Sequence, residues 1–105
     1  MIVRLWHGWT TPENADAYER LLREEIFSGI ARRKIAGYRG IELLRRQAGA
    51  EVEFVTAMRF DSLDAVRAFA GGDYEVAVVP PSARELLSRF DARSAHYERR
   101  HTGPP

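Results

Sequence analysis

The chain has 105 residues, 45% of them hydrophobic, which is enough for one domain around one core and too few for two. Its formal net charge of +1 gives little long-range field to gather nucleic acid or an anionic membrane, and the absence of cysteine excludes disulfides and thiolate chemistry. No apolar run approaches the ~20 residues that span a bilayer, and the N-terminus lacks a signal-peptide pattern, so we expect a cytoplasmic protein.

The first predicted strand covers Ile2 to Trp9, where the residue pattern has a period of two. We assign one side of it to the helices, with Val3, Leu5, His7 and Trp9. The other side carries Ile2, Arg4 and Trp6.

A capping hydroxyl, a first-turn proline and an acid at 10–13 predict a helix, whose apolar stripe extends to Ile30. The basic residues at 32–34 suit the dipole at its C-terminal end better than they suit a nucleic-acid patch.

Residues 37–47 and 51–60 are predicted as two strands of a hairpin, joined by a glycine-containing turn. The second strand has an uncharged face formed by Val52, Phe54, Thr56, Met58 and Phe60. A helix then begins at Asp61 or Ser62 and ends at the glycine pair 71–72. We expect its apolar stripe to pack on the uncharged strand face.

The last third of the chain has a weaker pattern. Asp73 to Val79 is interpreted as irregular, because a glycine pair and a proline pair limit its valine-rich pattern. Capping-box spacing from Ser82 predicts a short helix that extends to Phe90, and Asp91 to Arg99 is predicted as the final strand. Residues 1–100 then form a single domain, followed by a loose tail at 101–105.

This order of elements predicts an α+β fold of the ferredoxin-like βαββαβ type, a four-stranded antiparallel sheet with its helices on one face. The other face would meet water although it is rich in apolar residues and carries charges of both signs. A second copy of the sheet would cover it, so we expect a homodimer. The residues predicted for this interface are Trp6, Leu44, Val55, Ala57 and Tyr97.

Five segments of the sequence match the residue patterns of a known protein family. They are residues 4–8 (RLWHG), 37–40 (GYRG), 54–69, 90–91 and 96–98 (HYE). With them the sequence resembles the antibiotic-biosynthesis-monooxygenase-like family of dimeric α/β barrels over essentially its whole length. The resemblance implies a homodimer whose sheets pack face to face. Members of the family include cofactor-free oxygenases of aromatic polyketides, haem-degrading enzymes and proteins of unknown role.

The haem-degrading branch is not matched. Its asparagine in the first strand is replaced by Trp6-His7, its helical tryptophan by Phe69, and no histidine stands at 74–79 to ligate iron. The oxygenase branch implies no metal or flavin cofactor, only an apolar pocket where a phenol loses its proton and reacts with oxygen. The resemblance therefore implies a cofactor-independent monooxygenase for a small aromatic, polyketide-like substrate. The alternative is a non-catalytic ligand-binding or regulatory dimer.

His7 is the preferred catalytic base, because its predicted register places it on the helix side of the first strand. His96, on the neighbouring strand, is the second candidate. A structural histidine bonded to a backbone carbonyl is the competing interpretation for each. A metal site at this pair is disfavoured, because no third ligand stands at a fixed spacing from them.

Large side chains at strand and helix spacing are candidates for the walls of a substrate pocket, although ordinary core packing explains the same spacing. They are Trp9, Tyr18, Phe27, Phe54, Met58, Phe69 and Tyr74.

The RNA-recognition motif has the same topology, so an RNA-binding module is a third functional class to consider. Residues 50–55 place two acids where that motif has glycines and lack its cation, so we expect no nucleic-acid partner.

Overall fold

The structure, a computed structural model that describes residues 1–105, is built on one antiparallel sheet. Its strands are β1 (Ile2–Thr10), β2 (Tyr38–Ala48), β3 (Glu51–Phe60), β4 (Leu87–Phe90) and β5 (Ala95–Glu98). β1 lies between β3 and the two short strands, and β2 forms the far edge. β4 pairs with the C-terminal half of β1 and β5 with its N-terminal half, so together they occupy the fourth strand position. The predicted α+β ferredoxin-like fold is confirmed.

One long helix lies over this sheet. It begins as α1 (Pro12–Leu21), passes through a π-helical turn at Leu22–Ile26, and continues as α2 (Phe27–Arg32). Thr11 caps its first turn, because the Thr11 hydroxyl accepts a hydrogen bond from the Asn14 N–H at 3.2 Å. The predicted helix start is confirmed.

Two short helices complete this layer. α3 (Leu63–Ala70) is capped by Ser62, whose hydroxyl accepts from the Ala65 N–H at 3.2 Å, and it ends at Gly71, where φ is 96°. A positive φ favours glycine, so the sequence signals at both ends of α3 are confirmed. α4 is Pro81–Leu86. None of the helices combines the length and the apolar character needed to cross a lipid bilayer.

The core lies between the helices and the sheet and has two centres. In one, the rings of Tyr18 and Phe54 meet edge-on with their centroids 5.0 Å apart. In the other, Phe60 packs against Val66 and Phe69 of α3. Full burial of side chains of this size stabilises the fold by about 1.5–3 kcal/mol each. The predicted packing of the uncharged face of β3 on α3 is confirmed.

The structure corrects the predicted C-terminal elements. The helix predicted to extend to Phe90 ends at Leu86, and Leu87–Phe90 forms β4. The strand predicted from Asp91 is regular only at Ala95–Glu98. Phe90 packs against the Trp6 ring, with centroids 6.0 Å apart, so pairing and packing on β1 override the local helical spacing. Residues 73–79 are irregular, as predicted, with one isolated bridge at Val76.

The two faces of β1 are the reverse of the prediction. Arg4 pairs with Met58 and Trp6 with Thr56, on the helix side of β3, and Arg4 and Trp6 are only 3% and 9% exposed. Both sides of β1 carry large apolar groups, so alternation alone cannot orient the strand, and its register with β3 decides. The prediction of Trp6 at a sheet-face interface is therefore wrong. The opposite surface, called the open face below, carries Val3, Leu5, His7 and Trp9 from β1.

Gly8 is the point of closest packing on the helix side of β1. A Cβ atom there would lie 2.7 Å from the Trp6 ring and 3.1 Å from Leu87, and the Trp6 indole is itself held by an N–H bond to the Asp91 carbonyl at 2.8 Å. We expect Gly8→Ala to lower the free energy of unfolding by about 1–3 kcal/mol, because the Trp6 ring is held by this hydrogen bond and cannot move freely away from the added Cβ. Gly72→Ala is the control, since nothing lies within 4 Å of its Cβ position. Equal urea midpoints for the two variants would contradict this packing.

Candidate functional site

The candidate site is a cavity of about 60 Å³ between the long helix and the sheet. Twelve of its sixteen lining residues are hydrophobic, so its walls are mainly apolar. The polar side chains that reach it are Arg4 from β1, Thr56 from β3 and Ser94 from the segment between β4 and β5. The remaining lining residues are Trp6, Tyr18, Leu22, Ile26, Phe27, Ile30, Ile41, Met58, Phe69, Val78, Val79, Pro80 and Ala83.

The helix wall of the cavity coincides with the π-helical turn. Leu22 and Ile26, the two ends of that turn, and Phe27 directly after it all line the cavity. Single π-helical turns are rare and often mark functional sites. The irregularity in the helix and the cavity therefore point to the same place.

Arg4 is a buried cation at this site with no carboxylate partner. Its Nη1 donates to the Tyr74 carbonyl and to His96 Nε2, the latter at 3.0 Å, and its Nη2 donates to the Val76 carbonyl at 3.1 Å. Burial lowers the pKa of Arg4 to about 10, so the guanidinium keeps its charge at neutral pH. The guanidinium carbon also lies 5.5 Å from the centroid of the Phe69 ring, a cation–π contact. No anion contacts Arg4, and a buried charge without an anionic partner is costly.

The protonation state of His96 follows from Arg4. A guanidinium can only donate, so His96 Nε2 accepts and the ring proton lies on Nδ1. Burial, and then the charge of Arg4, lower the pKa of His96 below its usual value, so the ring is neutral at pH 7. The lone pair that a general base would use is already engaged with Arg4. His96 lies on the helix side of β5, as predicted, but its geometry suits holding Arg4 rather than removing a proton.

Ser94 brings a buried hydroxyl to the cavity. It is 5% exposed, and its Oγ has no hydrogen-bond partner in the protein. Its backbone N–H donates to the Glu75 carbonyl at 2.6 Å, which ties the 92–94 segment to the irregular segment that holds Arg4. A buried hydroxyl left without a partner costs about 1–3 kcal/mol, so a ligand that bonds to Ser94 from the cavity would remove this cost.

The predicted pocket residues fall into three groups. Tyr18, Phe27, Met58 and Phe69 line the cavity. Phe54 is fully buried beside Tyr18, and Tyr74 lies behind Arg4 and makes an edge-on ring contact with His96, with centroids 5.1 Å apart. Trp9 is on the open face, under the guanidinium of Arg89 at 4.0 Å, so its predicted place in the pocket is wrong.

His7 also lies on the open face, away from the cavity. Its Nδ1 is 3.2 Å from Asp91 Oδ2, and its side chain is 39% exposed. The predicted position of His7 beside a buried substrate is therefore wrong, for the same reason of strand register. His7 and His96 lie on opposite faces of the sheet, and no group of three or more potential ligand side chains is arranged to bind a metal ion.

Sequence reasoning missed Arg4 and Ser94 as site residues. Arg4 did carry a signal, because it is a charged residue in a strand that is apolar on both sides. Ser94 carried none, since its importance depends on a missing hydrogen-bond partner that only the three-dimensional structure reveals.

Comparison with solved structures finds the same fold over the whole chain. A Bacillus cereus protein described as a candidate antibiotic biosynthesis monooxygenase is 14% identical, with a TM-score of 0.66 over 99% of this chain and 97% of its own. Rv0793 of Mycobacterium tuberculosis is 18% identical, with a TM-score of 0.64 over 98% of each chain. No family model and no curated protein matches the sequence. The first neighbour carries the name of the family that the sequence resembles, and the fold implied by that resemblance is confirmed.

Proposed function

We propose that the chain is a cofactor-independent monooxygenase that acts on a small electron-rich aromatic molecule in the cavity. The observation that carries the proposal is an apolar cavity that contains the uncompensated cation Arg4. Such a cation favours the ionised form of a bound phenol, which is the form that gives electrons to oxygen. The resemblance of the sequence and the name of the Bacillus cereus neighbour support the same chemistry.

The reaction needs no reductant. In the keto tautomer of a phenolic substrate, a ring CH₂ group becomes C=O when one atom of O₂ bonds to the carbon and the other leaves as water with the two hydrogens. The substrate supplies all four electrons. Because the His96 lone pair is engaged, the proton passes to solvent as the substrate enters the cavity. Arg4 then stabilises the anion, and the apolar walls exclude bulk water from the step with oxygen.

The size of the cavity limits the substrate. A cavity of about 60 Å³ holds a few water molecules, whereas pockets for drug-sized ligands enclose roughly 300–1,000 Å³. We therefore propose a single-ring substrate, smaller than the polyketides that the resemblance implies. Because a cavity of roughly 150 Å³ is what holds a benzene ring, even this substrate requires the wall formed by residues 78–80 to move outward.

Oxygen uptake by the purified protein, freed of metal and flavin, tests the proposal. We expect uptake with members of a panel of quinols and anthrols, fastest with single-ring compounds, and no change of rate in His7→Ala, because His7 lies on the open face. Uptake with none of the panel would favour the alternative, a non-catalytic ligand-binding dimer. Loss of uptake in His7→Ala, with the oligomeric state unchanged, would mean that the reaction does not take place in the cavity.

We also propose that the protein is a homodimer, formed by the open faces of two sheets. Leu44 and Tyr97 are 54% and 56% exposed on this face. Its charges are paired within one sheet, Arg46 with Glu53 at 2.7 Å and Arg59 with Glu42 at 3.3 Å. Because the pairs are internal, a second copy can cover the face without leaving isolated charges.

A further inference from the structure

Two hydrogen-bond donors of Arg4 remain for a ligand. A guanidinium has five N–H donors, two on each Nη atom and one on Nε. The carbonyl of Tyr74 and the ring of His96 take both donors of Nη1, and the carbonyl of Val76 takes one of Nη2. The Nε–H and the second Nη2 hydrogen have no partner in the protein.

Elsewhere in the same molecule, Nε and Nη2 hold carboxylates. Arg39 donates from Nε to Asp61 Oδ1 at 2.9 Å and from Nη2 to Oδ2 at 2.6 Å. Arg89 uses the same two atoms on Glu51, at 3.3 and 2.9 Å. This planar fork matches two coplanar oxygens that share a negative charge. At Arg4 no carboxylate of the protein takes that position.

Ser94 adds a third donor to the same cavity, and its hydroxyl and Arg4 are together called the polar corner below. Its Oγ is buried, lines the same cavity as Arg4 and has no partner. The other walls offer mainly apolar surface to the rest of a ligand. A single guanidinium neutralises one charge, so this corner suits a monoanion better than a phosphate group with two.

We infer that the ligand of this cavity is a small aromatic anion with two coplanar oxygens that share one negative charge, held by the Nε and Nη2 fork of Arg4 with Ser94 beside it. The inference rests on the cavity being the substrate site of the proposed function, and it adds the substrate class. Two kinds of molecule have this chemistry: ionised rings that bear adjacent hydroxyl and keto oxygens, in which Arg4 holds the reacting oxyanion itself, and aromatic carboxylates, in which Arg4 would hold the carboxylate and serve binding alone.

Titration of the wild-type protein with three single-ring probes tests this class without any variant. Benzoate represents the carboxylate, ionised tropolone the adjacent-oxygen ring, and benzamide is the neutral isostere of benzoate. We expect benzoate or tropolonate to bind on the order of 10- to 100-fold more tightly than benzamide by calorimetry, since a charge-assisted pair is lost in the amide. Tighter binding of benzoate than of tropolonate indicates that the ligand is an aromatic carboxylate. The reverse order indicates an ionised ring with adjacent hydroxyl and keto oxygens. Benzamide binding as tightly as both anions, or binding of no probe, overturns the inference.

Variants locate the binding. Arg4→Gln is expected to abolish the preference for the anion, Ser94→Ala to weaken anion binding severalfold, and Arg100→Gln, which changes an exposed arginine far along the chain, to leave it unchanged. If circular dichroism shows that Arg4→Gln is unfolded, Arg4→Lys keeps the charge without the fork and is expected to lose most of the affinity. A preference for the anion that persists in folded Arg4→Gln, or in Arg4→Lys at full strength, overturns the assignment to Arg4.

The two proposals fail in different ways. Anion binding that depends on Arg4, without oxygen uptake for any phenol, contradicts the proposed oxygenase activity. The proposed anion site at Arg4 then remains supported. Oxygen uptake that is faster with neutral phenols than with their carboxylated or adjacent-oxygen analogues contradicts the anion site and leaves the oxygenase in place.

Discussion

Arg4→Gln is expected to lower the rate of oxygen uptake on the order of 10²- to 10³-fold, the usual loss when an oxyanion donor is removed. The glutamine is neutral, so the phenolate that must form in the cavity loses the only buried cation beside it. The glutamine amide has two N–H donors on a shorter side chain, so the Tyr74 and Val76 carbonyls and His96 lose part of the hydrogen bonding that Arg4 provides. The measurement is oxygen consumption at saturating substrate with protein free of metal and flavin.

Arg100→Gln is the matched control for this experiment, because it removes the same charge from an exposed position and leaves the cavity unchanged. It should react at the wild-type rate. Folding of both variants is compared by circular dichroism and by urea unfolding. A well-folded Arg4→Gln protein with the wild-type rate would show that the charge of Arg4 plays no part in the reaction.

The fold was predictable where the sequence signals are local. At the β3 and α3 unit, the period of two ends at Phe60, Ser62 caps the helix and Gly71 ends it, and all of these features depend on residues a few positions apart. The C-terminal segment shows the opposite case. Leu87 and Phe90 stand at helical spacing after a capping box, yet they form a strand because β1 offers them a pairing edge.

The direction in which β1 faces could not be predicted from its own residues. Trp6 on one side and Trp9 on the other are equally able to fill a core, so the alternation specifies two faces without saying which is inner. The register with β3 settles it by placing Trp6 opposite Thr56. One wrong choice of face moved His7 and Trp9 into the predicted pocket and left Arg4 outside it.

The polar corner of the cavity was hidden in the sequence for a different reason. Arg4 and His96 are 92 positions apart, and the carbonyls of Tyr74 and Val76 come from a segment without regular structure. No spacing rule connects such residues. What gives them a functional meaning is the lack of a carboxylate around Arg4 and of a partner for Ser94, and both are properties of packing.

Leu44→Asp and Tyr97→Arg are each expected to convert the proposed homodimer to monomer at micromolar concentration. Both residues lie on the open face, on the edge strands β2 and β5, and a charge added at either position would be buried in the proposed interface without a designed partner. Loss of an apolar interface contact of this size typically costs about 2–4 kcal/mol, a weakening of roughly 30- to 1,000-fold. Sedimentation equilibrium measures the mass of each species.

Ala17→Arg is the control, because it adds a charge to the exposed surface of α1, on the other side of the sheet. This variant should remain a dimer. Wild-type protein that sediments at the formula mass of 12.0 kDa at micromolar concentration would contradict the dimer outright. Variants at positions 44 and 97 that stay dimeric would show instead that the two copies meet through another surface, since an unpaired charge cannot be buried in an interface without loss of affinity.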